Sequence, residues 1–292
     1  MGLIFKSFIM SFGLTGRMIL PSIGIVIVSA LLTGVLNSFT GGFASVLSEP
    51  VTSAFITLFG IRVALTMMGN TSRTEYKILM LYAFLYGVAF FIASAVILIV
   101  SVGFAMLYAS WQTGSGMTLY DVRNAMRSVE PNFAAFAISA KMLVFLTLTA
   151  SVNALMAIPV ANAARAAGSG AMGAGFFKGF GRSFIPLFSV FWIVMFLQFF
   201  FGILAFFFAL APLFMLTFTF LFTQSLPDID LWFVVTGLAA GLGLLFLNCW
   251  TYAAAAVALG ENSEAIAKKS APPTPPRPTQ MDIRSLRKSR ET

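Results

Sequence analysis

Apolar residues in this chain come in long unbroken blocks, not at the two-residue or 3.6-residue spacing of half-buried strands and helices. Six blocks stand out: Met18–Phe39, Val51–Gly69, Ile78–Ser110, Phe133–Ala161, Phe184–Phe222 and Leu231–Gly260. About 20 apolar residues suffice for a helix to cross a hydrocarbon core of roughly 30 Å. Each block therefore predicts one crossing, and the fold class is an all-α polytopic transmembrane helical bundle of six spans. The fifth block is overlong, about 58 Å as a straight helix at 1.5 Å per residue. It is expected to span to near Leu210, bend at Pro212 and finish as a Phe-rich re-entrant or interfacial stretch before the turn Ser225-Leu226-Pro227-Asp228.

The polar stretches between blocks assign the sides. Lys6, Arg17, Arg73, Lys77, Arg165, Lys178, Arg182, Lys268, Lys269, Arg277, Arg284, Arg287, Lys288 and Arg290 fall on one side, fourteen of the 18 Lys and Arg. Arg123 and Arg127 fall on the other, and Arg62 and Lys141 lie inside blocks. The positive-inside rule then places both termini in the cytosol, and a bacterial inner membrane is the expected location. The first block is longer than a signal-peptide core and lacks a small-residue cleavage site, so it is read as a span.

Composition agrees. Apolar residues make up 59% and charged residues 10%, with a mean hydropathy of +0.93; a soluble domain carries about 25% charged residues. The net charge of +8 comes from span borders and the last 25 residues, which argues for topology signals over nucleic-acid binding. Residues 1–260 form the expected membrane domain. Residues 261–292 form a Pro-rich basic tail, with Pro272, Pro273, Pro275, Pro276 and Pro278 favouring an extended segment. That tail is read either as a solvated segment attracted to anionic lipids or as a docking peptide for a partner.

The order polar stretch, span, outer loop, span occurs three times, as Met1–Asn70, Thr71–Gly168 and Ser169–Ala267. Val63-Ala64, Val160-Ala161 and Val257-Ala258 recur 97 residues apart, near the inner end of each even-numbered span. Three helical hairpins are the expected arrangement. Phe5-Lys6-Ser7-Phe8 and Phe177-Lys178-Gly179-Phe180 each feed a span that carries a proline, Pro21 and Pro186. In this layout, a basic aromatic entry and an Ala-rich exit on each hairpin, the chain resembles the six-span bacterial YciC-like families and the membrane domain attached to some glycerophosphodiester phosphodiesterases. The resemblance implies the hairpin architecture and supplies no catalytic residues.

Candidate chemistry is sparse. Gly168-Ser169-Gly170-Ala171-Met172-Gly173 fits G-x-G-x-x-G by letters. It follows a membrane span, and no acid lies between Glu130 and Asp228 to hold a ribose. A cytosolic linker is the simpler reading. There is no histidine, the commonest general base and metal ligand. The ten acids, Glu49 among them, are assigned to loops or tails, with no catalytic dyad or metal spacing. No enzyme, cofactor or metal site is therefore expected. Cys249, the single cysteine, is read as a small buried or lipid-facing side chain.

Intramembrane charge is a functional hypothesis by default, and only Arg62 and Lys141 qualify. Each lies about two turns from a block end, so snorkelling is favoured, with contact to a substrate or lipid headgroup as the alternative. Asn153, Gln198 and Asn248 are the amides inside spans, read as interhelical hydrogen bonds or, less simply, as a polar pathway. Gly237 and Gly241 form a G-x-x-x-G suited to close helix packing. Thr118–Glu130 reads as a short amphipathic outer helix with a capping box, beside Trp111 and Tyr120 of an aromatic belt. The function expected from these features is a non-enzymatic subunit or assembly factor of an inner-membrane complex, with membrane lipids and protein partners or a second copy. The alternative is a transporter or lipid-handling permease.

Overall fold

The computed structural model describes residues 2–40, 42–69, 73–113, 131–169, 177–210 and 231–270. Six helices make up nearly all of it: α1 (Leu3–Thr40), α2 (Phe43–Met67), α3 (Tyr76–Thr113), α4 (Pro131–Ser169), α5 (Phe184–Ala205) and α6 (Leu231–Ser270). A π-helical turn, Phe206–Leu210, continues α5. Among the described residues there is no strand. All six helices are long and apolar enough to cross a membrane, and the chain is an integral membrane protein on that basis. The predicted bend at Pro212, the turn at Ser225–Asp228, the outer helix Thr118–Glu130, Gly170–Gly173 and the Pro-rich segment from Pro272 lie outside the described residues.

Helices outrun the apolar blocks that predict them. α1 has 38 residues, α3 38, α4 39 and α6 40, so each extends about 57–60 Å at 1.5 Å per residue. A bilayer with its headgroups accounts for only about 40–45 Å. In α1 the surplus is packed on one face. The added turns bury Leu3, Ser7, Ser11 and Leu14 at helical spacing. That face meets α6. Trp250 Nε1–H donates to Ser7 Oγ at 3.1 Å, and the Phe8 ring packs edge-on against Trp250 and Phe246. α6 likewise continues through Glu261 to Ser270, although the packed unit ends at Leu259 and residues from Gly260 form a separate one.

Burial divides the helices into two sets. In their most apolar stretches α2 and α4 are 39% buried and α6 22%, against 0%, 12% and 11% for α1, α3 and α5. Even-numbered helices therefore carry the core, and odd-numbered ones carry the lipid-facing exterior, where Leu20 is 80% and Phe39 83% exposed. The core is built from small residues. Ala154, Ala157, Ala161, Ala164 and Ala167 of α4 and Ala253–Ala256 of α6 are all buried. Without a hydrophobic driving force between helices in lipid, such small side chains gain dispersion by letting backbones approach. Ala64, Ala161 and Ala258 of the three recurring Val-Ala pairs are each fully buried.

Glycines mark the closest approaches. A Cβ on Gly87 of α3 would lie 2.8 Å from Val51 Cα of α2, and a Cβ on Gly60 would overlap the Tyr252 ring. Gly241 has nothing within 4 Å, whereas a Cβ on Gly243 would meet Phe201 at 2.6 Å. Gly243 of α6 thus approaches α5 closely, and Gly237 of the expected G-x-x-x-G is buried.

The aromatic-basic entries that look alike in sequence differ in structure. Phe5-Lys6-Ser7-Phe8 is helical, whereas Phe177–Ser183 is a run of turns with Gly179 at φ +85 and Gly181 at φ +71. Only glycine adopts such φ values without cost. The turns form a strap along α4. Asn162 Nδ2–H donates to Lys178 O at 2.8 Å, and Gly181 N–H to Leu155 O at 3.3 Å. Pro159 explains the second bond, because a proline has no N–H for the carbonyl four residues earlier. That carbonyl, Leu155, is the one the strap satisfies.

Candidate functional site

A cavity of about 470 Å³ lies among α2, α3, α4, α5 and α6, inside the usual range of roughly 300–1,000 Å³ for ligand pockets. Helical spacing creates it. Glu49, Ser53, Thr57 and Ile61 recur every four residues and so share one face of α2. Thr149, Asn153, Ala157 and Val160, spaced four, four and three residues apart, share one face of α4. Phe90, Phe91 and Ser94 of α3, Phe191, Val194, Met195 and Gln198 of α5, and Asn248, Thr251, Tyr252 and Ala255 of α6 complete the wall.

The wall polarity has a bias. Thr57, Thr149 and Thr251 each spend their hydroxyl hydrogen on their own helix, donating to Ser53 O, Phe145 O and Asn248 O at 2.7–2.8 Å. The Thr149 and Thr251 oxygens retain only accepting capacity toward the cavity, while the Thr57 oxygen pairs with the Tyr252 side chain. Gln198 Nε2–H donates to Asn248 Oδ1 at 2.9 Å, a cross-helix bond of the kind worth about 0.6–2 kcal/mol in membranes. Gln198 Oε1 is left as a further acceptor. Glu49 is the single charged residue in the wall, and an ionised carboxylate only accepts. The amides of Asn153, Asn248 and Gln198 and the hydroxyls of Ser53 and Ser94 can donate, while the Tyr252 hydroxyl is engaged with Thr57. The wall holds one acidic side chain and no basic one.

Glu49 corrects the sequence assignment, which placed it in a loop before Val51. It sits on α2, two turns inside the helix that starts at Phe43, and within the span Ala44–Met67. The signal was the Gly-Gly pair: Gly42 at φ +93 caps α2, and Asn37 Oδ1 accepts from Ser45 N–H at 3.0 Å, satisfying one of the first-turn donors that a helix leaves open. Pro50 lies inside the helix.

Of the sequence-predicted polar residues, Asn153, Gln198 and Asn248 are brought together in this one wall. Lys141 lies at the start of the apolar stretch of α4, away from the wall. Arg62 does not snorkel. It is 1% exposed and the largest fully buried side chain, with its guanidinium against Gly168 in the last turn of α4 and its Nε–H on Thr74 Oγ1 at 3.3 Å. Beside it Glu75 N–H donates to Ala167 O at 2.8 Å, one of the terminal carbonyls of α4 that lack a helical partner. A cation at a helix C-terminus is favoured by the helix dipole. Arg62 therefore ties α2 to the end of α4 and to the entry of α3, one residue past the Ile61 end of the cavity. Buried Cys249 is free. Among the described residues no group of three His, Cys, Asp or Glu side chains is placed to hold a metal.

Set against protein-family models, curated proteins and solved structures, the chain has no match in any of the three comparisons, so the reading of its function rests on this geometry.

Proposed function

We propose that the chain is a permease-type membrane protein that admits a small ligand to the cavity between α2 and α6, in a bacterial inner membrane with both termini on the basic, cytosolic side. One observation carries this reading: ten polar side chains from all five surrounding helices converge on one cavity in a bundle that exposes many large apolar side chains along its spans. Polar groups in a membrane are costly unless they serve each other or a passenger. Here Gln198 bonds Asn248 and Tyr252 bonds Thr57 side chain to side chain, and among the described residues no such bond is seen for Ser53, Ser94 or Asn153. Beyond Ile61 lie buried alanines and the buried Arg62 of α2, and Glu49 stands at the other end of the α2 wall. The competing reading, a non-enzymatic subunit or assembly factor in a membrane complex, draws on the exposed apolar faces of α1 and α3, which lipid covers equally well.

Ser53 is exposed in the cavity wall, so Ser53→Trp fills the space without cutting into the core. Mass spectrometry of the protein purified in mild detergent should find a small molecule or lipid bound to wild type and depleted several-fold in Ser53→Trp. Identical small-molecule content in both, with a stoichiometric protein partner, would count for the subunit reading instead.

A further inference from the structure

Resting on the ligand-binding reading above, we infer that the cavity selects organic cations. Three features of the wall point the same way. Glu49 is its only charge, and it stands at an exposed position on the span Ala44–Met67. Thr149 and Thr251 offer oxygens, not hydrogens, to the space, since their hydrogens are committed to backbone carbonyls. Phe90 and Phe91 line the wall on α3, and aromatic faces attract cations through the ring quadrupole. An anion entering this chamber would meet a carboxylate and acceptor lone pairs with no wall cation to offset them. The nearest cation along α2, Arg62, is held against Gly168 outside the wall.

The test uses two ions of the same shape and opposite charge, tetraphenylphosphonium and tetraphenylborate, on the full chain in a neutral detergent. Each is measured by equilibrium dialysis on wild type, Glu49→Gln and Ser53→Trp, so that partition into micelles cancels between variants. Saturable phosphonium binding is expected in wild type, weakened roughly tenfold or more in Glu49→Gln, which corresponds to about 1.4 kcal/mol, and abolished in Ser53→Trp. Tetraphenylborate should not compete. Glu49→Gln without ligand should melt with wild type, since no described side chain hydrogen-bonds to that carboxylate. Equal phosphonium affinity in wild type and Glu49→Gln, competition by tetraphenylborate, or no saturable phosphonium binding to wild type overturns the cation rule. If Ser53→Trp still abolishes binding in the first two cases, the ligand-binding reading stands and only the charge rule falls. Binding that survives both variants removes both.

Discussion

Gly87→Ala should destabilise the protein by about 1–3 kcal/mol, the usual cost of overpacking, despite a change that favours helix by about 1 kcal/mol at an open site. The overlap decides the sign. The new methyl would sit 2.8 Å from Val51 Cα and 3.0 Å from Val51 N, and backbone atoms in the middle of a helix cannot swing aside as a side-chain tip does. The only relief is for α2 and α3 to move apart. That movement also separates Glu49 and Ser53 from Phe90, Phe91 and Ser94, so ligand affinity should fall along with stability. Gly103→Ala on the same helix is the control, because nothing lies within 4 Å of Gly103. Thermal melting in one detergent should show the Gly87 variant well below wild type and the Gly103 variant level with it or above. Two variants that melt alike would contradict the close α2–α3 contact.

A comparable loss is expected from Gly168→Ala, by a different route. Here the methyl would meet the guanidinium of Arg62, which is the far end of a long side chain and movable wherever space exists. At 1% exposure there is none, so the head must be forced from the end of α4 and from Thr74. A displaced buried charge costs more than an absent one, because removing a buried ion also removes its desolvation penalty. Gly168→Ala should thus be destabilising in wild type by about 1–3 kcal/mol and close to neutral in an Arg62→Ala background. The coupling energy from the double-mutant cycle should lie in the range of roughly 0.5–3 kcal/mol found for contacting residues. Additive effects in chemical denaturation would show that the guanidinium does not rest on Gly168.

These contacts show where sequence reasoning reaches and where it stops. The number and type of elements were legible because a membrane span must be continuously apolar, a one-dimensional property that a scan recovers. Helix ends were not. Apolarity reports where lipid begins, whereas the helix continues for as long as its backbone bonds and one face are satisfied, as Ser7, Ser11 and Leu14 show against α6. The cavity was legible only as scattered members. Asn153, Gln198 and Asn248 were singled out as polar residues inside spans, but their convergence depends on the rotation of three helices about their axes, which no local pattern encodes. Glu49 was hidden by a boundary error of eight residues, because the apolar block begins at Val51 whereas the helix begins at Phe43. Arg62 was read as reaching for water because length permits snorkelling; the structure offers it a helix C-terminus and a glycine without a side chain instead. The fate of the overlong fifth block turns on residues 211–230, outside the described set.

The central claim is that an aqueous, polar chamber exists inside an apolar bundle, and thiol labelling tests it most directly. In a Cys249→Ala background reconstituted in liposomes, Asn153→Cys and Gln198→Cys lie in the cavity wall, while Leu20→Cys lies on the exterior of α1. A membrane-impermeant, positively charged methanethiosulfonate reacts only with thiolates in water. The account predicts rapid modification of the cysteines at 153 and 198, slowed by tetraphenylphosphonium, and none at 20. Cysteines at 153 and 198 as unreactive as the one at 20 would contradict it.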